Sequence, residues 1–290
     1  MLIDICSKTE KNKDAREIMS RCCLLICTLT YFVSLSLSAT SLYDFYKITR
    51  QESFRRFLCW TDEKEKISQA IKDVIKTDNG SLLDIGAGDG SISKLLEFSF
   101  EKIVAVEPCE SLFKVLENNC NSEKYLLGNT SFEEFVMDQK FDVVVASHSF
   151  QYISNPDIEI KRIRDFLKDD GLFLLINLRK ECGYWRLYNG YYADMLGEPP
   201  KCSYNFDYDV VSFLEENGFI VKKNYFDVTV NVPSVDDLLS LFNFFYNVEF
   251  SAIKEDAFKK IRMNLSKEYG DKGLTIDFEN VIYICEKIKQ

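Results

Sequence analysis

Three glycines at alternate positions, Gly86, Gly88 and Gly90, follow a short apolar run over 81–85. Two carboxylates frame them: Asp84 stands two residues before the first glycine, and Glu107 closes the next apolar run, over 103–106. Glycine lets the chain turn sharply after a strand and lets its backbone approach a ligand with no Cβ in the way. A carboxylate about twenty residues farther on falls where an α/β nucleotide site places its acceptor for ribose hydroxyls. Ile92, Leu95 and Leu96 then begin an amphipathic helix. The chemistry implied is recognition of a nucleoside-bearing cofactor. The dinucleotide fingerprint needs a glycine at position 91, which is Ser91 here. A glycine-rich turn in an unrelated α/β protein is the alternative reading.

The elements that must position this loop can be read from hydrophobic periodicity. Strand patterns fall at 81–85, 102–107, 124–127, 141–147 and 172–177, and helical patterns at 90–98, 110–118 and 157–168. An earlier helix over 61–76 has Ile67, Ala70, Ile71, Val74 and Ile75 on one face, with Thr61 or Asp62 as its cap. Alternation of this kind implies a parallel sheet with helices on both faces. A helix over 207–216 stops at Asn217-Gly218, and the final strands are expected at 219–226 and 281–285. Between them, residues 229–279 read as a helical insertion rich in Phe, with helices at 234–247 and 254–268.

An acidic residue, one spacer and Gly-x-Gly-x-Gly resembles the loop of class I S-adenosylmethionine-dependent methyltransferases. The resemblance implies a Rossmann-like methyltransferase fold, mostly parallel with an antiparallel last strand. It implies S-adenosylmethionine held by Asp84, Gly86, Gly88, Gly90, Glu107, Ser131 and Ser147. More narrowly, the string Glu52-Ser53-Phe54-Arg55-Arg56-Phe57-Leu58 resembles the histamine N-methyltransferase-like family. That likeness runs over about residues 46–290, through Val106-Glu107-Pro108, Phe141-Asp142, Tyr184 to Tyr188, the helix ending at Gly218, and Asp237-Leu238-Leu239. It implies that Glu63 holds an amine substrate in a pocket with Tyr184, Tyr188, Cys202 and Phe242. His148 and Gln151 stand where the family has a glutamine and a tyrosine, and Tyr152 matches a second tyrosine. His148 and Tyr152 are the candidate catalytic groups, able to take a proton from the acceptor directly or through water. Tyr184 and Tyr188 stand where the family has tryptophans. The departures leave a small cationic or aromatic amine, rather than histamine itself, as the expected acceptor.

Each of these residues also has a plainer reading. Glu63 suits a solvent-facing first helical turn, His148 a satisfied core position, and the tyrosines a packed helix face. A carboxylate beside aromatic faces would favour a cation. The expected arrangement sets Glu63, Tyr184, Tyr188 and Phe242 along one wall, with His148 and Tyr152 opposite. The runner-up functions are O-methyl transfer, protein or peptide methylation, and a catalytically silent binding module on the same fold.

The 290 residues carry a formal charge of −10, which argues against a nucleic-acid substrate. The adenine-methylating Asn-Pro-Pro-Tyr motif is absent, since Asn155-Pro156 continues as Asp157. Ten scattered cysteines form no Cys-x-x-Cys pair and accompany a single histidine, so no metal site is expected. They read as reduced thiols of a cytoplasmic protein, expected to be a monomer. One segment conflicts with that placement. Residues 22–39 are apolar and uncharged, preceded by Arg16 and Arg21. They read as a signal, a membrane anchor or an extension without a role, within a leader over 1–40 ahead of a methyltransferase domain over 41–290. Membrane association would come only through that run. A chain beginning at Ser41 is expected to unfold cooperatively and to bind S-adenosylhomocysteine as tightly as the full chain. Insolubility or loss of binding in that shorter chain alone would make the leader part of the fold.

Overall fold

The computed structural model describes residues 49–75, 79–179, 182–197, 209–246, 248–270 and 273–289. The leader with its 22–39 run and Cys202 lie outside them. Strands β1 (Gly80–Ile85), β2 (Phe100–Val106), β3 (Tyr125–Gly128), β4 (Phe141–Ser147), β5 (Leu167–Leu178), β6 (Phe219–Val232) and β7 (Leu274–Lys287) form one sheet, in the order β3-β2-β1-β4-β5-β7-β6. β1 to β5 pair in parallel, and β7 is antiparallel to both β5 and β6. This is the Rossmann-like arrangement expected from the sequence.

Strict alternation buries both faces. Leu82, Ile103, Val143, Val145, Leu174 and Ile176 lie under Ile67 and Ile71 of helix α2 (Glu63–Val74), which follows α1 (Arg50–Trp60), and under Ile92 of the short α3 (Ser91–Leu95). Leu83, Ile85, Val104, Val106, Val144, Phe173 and Leu175 face the other way. Helix α4 (Glu110–Asn119) supports the glycine turn, while α5 (Pro156–Phe166) covers that second face through Ile160 and Ile163. Helix α6 (Gly183–Leu196) follows β5, and α7 (Val210–Glu216) adds Phe213 and Leu214 to the same cluster as α5. Among the described residues, no helix is long and apolar enough to cross a membrane.

The last two strands differ from the sequence reading. Residues 229–232 and 274–279, expected inside the insertion, continue β6 and β7 in register from Phe219↔Lys287 to Val232↔Leu274. The physical reason is a period-two pattern, with Val228, Val230 and Val232 buried and Asp227 and Asn231 exposed. Among the described residues, α8 (Val235–Leu239), α9 (Phe242–Phe245), a 3-10 turn at Phe250–Ala252 and α10 (Glu255–Tyr269) make up the helical part.

Helix α1 carries the family-like string and docks this helical part. Phe57 is buried and its ring meets Phe244, Phe245 and Phe278, while Phe54 meets Phe244. The Ser53 hydroxyl lies against the Ser240 carbonyl and Asn243 Oδ1. Replacing Phe57 by Ala should cost about 3–5 kcal/mol, the usual penalty for emptying an aromatic core position. Urea unfolding would read this as a lower midpoint, and an unchanged midpoint would show that α1 is not structurally coupled to the insertion.

Candidate active site

The strand order reverses between β1 and β4, and in open α/β sheets that crevice, at the carboxyl ends of the strands, receives ligands. The glycine loop emerges there. Gly86, Gly88 and Gly90 all have positive φ, at +70°, +60° and +79°. A Cβ on Gly86 would lie 2.4 Å from Ser149 Cβ, and one on Gly90 would lie 2.6 Å from Leu116 Cδ1. Those two glycines serve packing. A Cβ on Gly88 would meet nothing within 4 Å, so this glycine borders open space, as a ligand cradle requires.

Glu107 is 6% exposed and organises the loop. Its Oε2 accepts from the Gly88 N–H at 2.8 Å, and its Oε1 accepts from the Cys109 N–H at 2.8 Å. A carboxylate has about four acceptor positions, so capacity remains for ribose hydroxyls. Asp84 lies beneath the loop and accepts from the Ser93 hydroxyl at 2.6 Å. Burial pushes its pKa up to about 6, against the opposing Ser93 hydrogen bond. These residues fit S-adenosylmethionine, with Glu107 at the ribose, Gly88 leaving space for the ligand and Asp84 supporting the loop from below. Ser131, by contrast, accepts from the Glu134 N–H at 3.3 Å in the loop after β3.

The acceptor side is assembled from distant segments. Asp62 Oδ1 accepts from the Thr229 N–H at 2.7 Å, and the Asp62 N–H donates to the Thr229 carbonyl at 3.2 Å. Asp62 therefore fastens the start of α2 to β6 and makes no side-chain cap; Thr61 Oγ1 accepts from the Glu63 N–H instead. Fixed in this way, Glu63 turns inward and is 6% exposed, which removes the solvent-facing alternative. Its Oε1 lies 3.4 Å from His148 Nε2, and its Oε2 lies 3.4 Å from Lys64 Nζ. Glu63 and His148, expected on opposite walls, are thus in contact.

His148 follows β4 with φ at +51°, a left-handed backbone that is uncommon outside glycine and clusters at functional sites. Its N–H donates to the Ile176 carbonyl at 3.0 Å, and Gln151 Nε2 donates to the His148 carbonyl at 2.7 Å. Burial lowers its pKa and Lys64 adds to that shift, while Glu63 and a hydrogen bond with Asn280 oppose it. Around it, Ser147 Oγ, His148 Nε2, Gln151 Oε1, Asn177 Oδ1 and Asn280 Oδ1 are buried without hydrogen-bond partners. Orphaned buried polar atoms are costly and rare. They stand at the carboxyl ends of β4 and β5, with Asn280 across the ladder from Leu178, and leave hydrogen-bonding capacity unmet at that edge. Asn177, Asn280 and Lys64 were not singled out from sequence, because only the sheet register brings them here.

The other expected residues behave differently. Tyr152 is 67% exposed on the turn after β4. Tyr184, Tyr188 and Phe242 do come together, but as a packed cluster. Tyr184 meets Tyr188, Tyr188 meets Tyr246, and Tyr246 meets Phe242, with ring centroids 5.2–5.8 Å apart. The Tyr184 hydroxyl donates to the Phe245 carbonyl, and Phe242 is fully enclosed. A groove of about 730 Å³ lies elsewhere, at the opposite strand edge, lined by Ser81, Lys102, Lys140, Asp142 and Lys168. Neither the glycine loop nor Glu107 borders it.

Calorimetry with S-adenosylhomocysteine should find one site on the protein. Gly88→Val, which puts branched carbon into the open cradle, and Glu107→Ala should each weaken it at least tenfold, equal to about 1.4 kcal/mol. Unchanged affinity in both folded variants would remove this loop from the cofactor site.

Comparison with known proteins agrees with this geometry. Residues 54–221 match the methyltransferase domain family model. An uncharacterized methyltransferase of Staphylococcus carnosus is 26% identical over 171 residues, 55% of this chain and 81% of that protein. A malonyl-[acyl-carrier protein] O-methyltransferase of Halalkalibacterium halodurans is 28% identical over 142 residues, and the chain spans about half of that relative's length, 49%. The crystal structure of a Bacillus halodurans C-125 protein superposes with a TM-score of 0.56 at 17% identity, over 78% of this chain and all of that one, a likeness of fold alone. With the family model covering more than half of its length, the chain belongs to the methyltransferase domain family and takes its methyl group from S-adenosylmethionine.

Proposed function

We propose that the chain is a small-molecule N-methyltransferase whose acceptor is a compact, histamine-like amine carrying a positive charge remote from the nitrogen that is methylated. The observation that carries this reading is the buried Glu63 carboxylate at the carboxyl edge of the sheet, beside five orphaned polar atoms. A buried carboxylate is tolerated where cations face it. Lys64 is one such cation on the outer side, and a substrate ammonium is a second.

The bound cofactor supplies an electrophilic methyl group on a sulfonium sulfur. The protein's task is mainly alignment, which can contribute roughly 7–11 kcal/mol to such a displacement. Glu107 and the glycine loop fix the donor, Glu63 draws the remote charge, and Ser147, Gln151, Asn177 and Asn280 offer hydrogen bonds to the acceptor's polar atoms. The aromatic cluster of Tyr184, Tyr188 and Phe242 acts as the rigid backing of this site. The domain organisation follows the same reading, with a catalytic domain over 41–290 that uses the helices between β6 and β7 to close the acceptor side.

Glu63→Gln keeps the shape and removes the charge. It should raise KM for histamine roughly 10- to 100-fold, the range expected for losing a charged hydrogen bond. KM for 4-methylimidazole, which lacks the ammonium arm, should stay within about twofold. Equal effects on both would remove Glu63 as charge anchor. Methylation of a carboxylate or hydroxyl acceptor with no turnover of either amine would favour oxygen transfer, the activity named for the malonyl-[acyl-carrier protein] relatives.

A further inference from the structure

The chain has a single histidine, and its one orphaned ring nitrogen faces a buried carboxylate. At 3.4 Å, Glu63 Oε1 and His148 Nε2 are beyond good hydrogen-bonding distance for a neutral ring. They are close enough for strong attraction once the ring carries a positive charge. Glu63 already has Lys64 on its other oxygen, and His148 is held in place by its backbone bond to Ile176 and by Gln151. The ring sits on a left-handed residue at the end of β4, so the backbone conformation that aims it is itself uncommon.

We infer that Glu63 and His148 form an acid–base dyad for methyl transfer. His148 takes the acceptor's proton on Nδ1, the ring nitrogen away from Glu63, and Glu63 at Nε2 is the positioning residue that balances the charge arriving on the ring. This rests on the active-site assignment above and not on the identity of the amine. The acceptor nitrogen uses its lone pair to bond the methyl carbon. The carbon–sulfur bond breaks with its electron pair going to sulfur, which becomes a neutral thioether. The proton displaced from the acceptor nitrogen passes to His148 Nδ1, while Nε2 keeps its proton towards Glu63. One positive charge is thereby moved from the sulfonium to an imidazolium beside a carboxylate. An uncharged partner at position 63 would leave that imidazolium buried and unbalanced, which slows the step. The dyad gives the buried carboxylate a purpose in the absence of any cationic substrate, and it separates two consequences of one side chain. Charge anchoring is read in KM, and proton acceptance in kcat and its pH dependence.

The groups facing the imidazole are Glu63 and Lys64 from α2 and Asn280 from β7. Burial pushes its pKa down, Glu63 and a hydrogen bond with Asn280 push it up, and Lys64 pushes it down. Removing the Glu63 charge therefore moves the titration to lower pH and makes the ring a weaker base. Because His148 is the sole histidine, carbon-13 NMR of labelled imidazole reads it without assignment, in the full chain saturated with S-adenosylhomocysteine and with no acceptor present. One titration is expected. It should shift to lower pH in Glu63→Gln and return towards the original in Glu63→Asp. No shift in Glu63→Gln would overturn the dyad.

The kinetic arm uses histamine. The acid limb of kcat should follow the NMR titration in each protein. His148→Asn tolerates the left-handed backbone and should lower kcat roughly 100- to 10,000-fold, the usual contribution of a general base. It should keep S-adenosylhomocysteine affinity within about twofold of the original, well short of a tenfold change. A folded His148→Asn variant with an unchanged kcat and pH profile would overturn the proposal. If histamine is not turned over at all, the amine reading falls, and the imidazole titration still decides the dyad.

Discussion

A carboxylate taken out of water must be paired, and Glu63 meets that demand between Lys64 and His148. Much of the molecule serves the contact. Glu63 faces inward because Asp62 binds both backbone groups of Thr229 and pins the start of α2 to β6. His148 reaches Glu63 because β4 ends in a left-handed residue anchored to Ile176 on the neighbouring strand. The strand order brings β4 next to β1, so His148 follows the strand beside the one that leads into the glycine loop. Changing any one of these relations would separate Glu63 from His148 and leave Lys64 as its ionic partner.

The donor side is built on a different principle. Its specificity is carried by backbone, with two N–H groups on one carboxylate and three glycines whose missing side chains do separate things. Gly86 and Gly90 give way to neighbouring side chains, and only Gly88 gives way to open space. The conventional loop is therefore one ligand-facing position held by two packing positions. Asp84, buried beneath it and bonded to Ser93, belongs to the support. The fold carries many chemistries, so the donor cradle speaks to the reaction class and the acceptor edge to the substrate.

How much of this could be read from sequence differs between the two sides. The donor loop is contiguous, and its residue types are demanded by local backbone geometry, so Gly86–Gly90 and Glu107 were visible at once. The strands of the core were visible because period-two burial is a local pattern. The acceptor side is assembled from α2, β4, β5 and β7, and its polar groups matter because they lack partners. Asn177 and Asn280 are ordinary strand residues until the ladder sets Leu178 opposite Asn280. Phe242 and the tyrosines carry no sign in sequence of whether their faces meet a ligand or one another, and the fold turns them onto one another. The extended ends of β6 and β7 were legible in Val228, Val230 and Val232, but the Phe-rich helices that follow drew the boundary too early.

The most direct test is a crystal structure of the full chain with S-adenosylhomocysteine. The account requires the ribose on Glu107 and the thioether sulfur directed at the space bounded by His148, Gln151 and Asn280, with the Glu63–His148 contact retained. A nucleoside seated away from Glu107, or a sulfur turned from His148 with the Glu63 side chain swung into solvent, would contradict it.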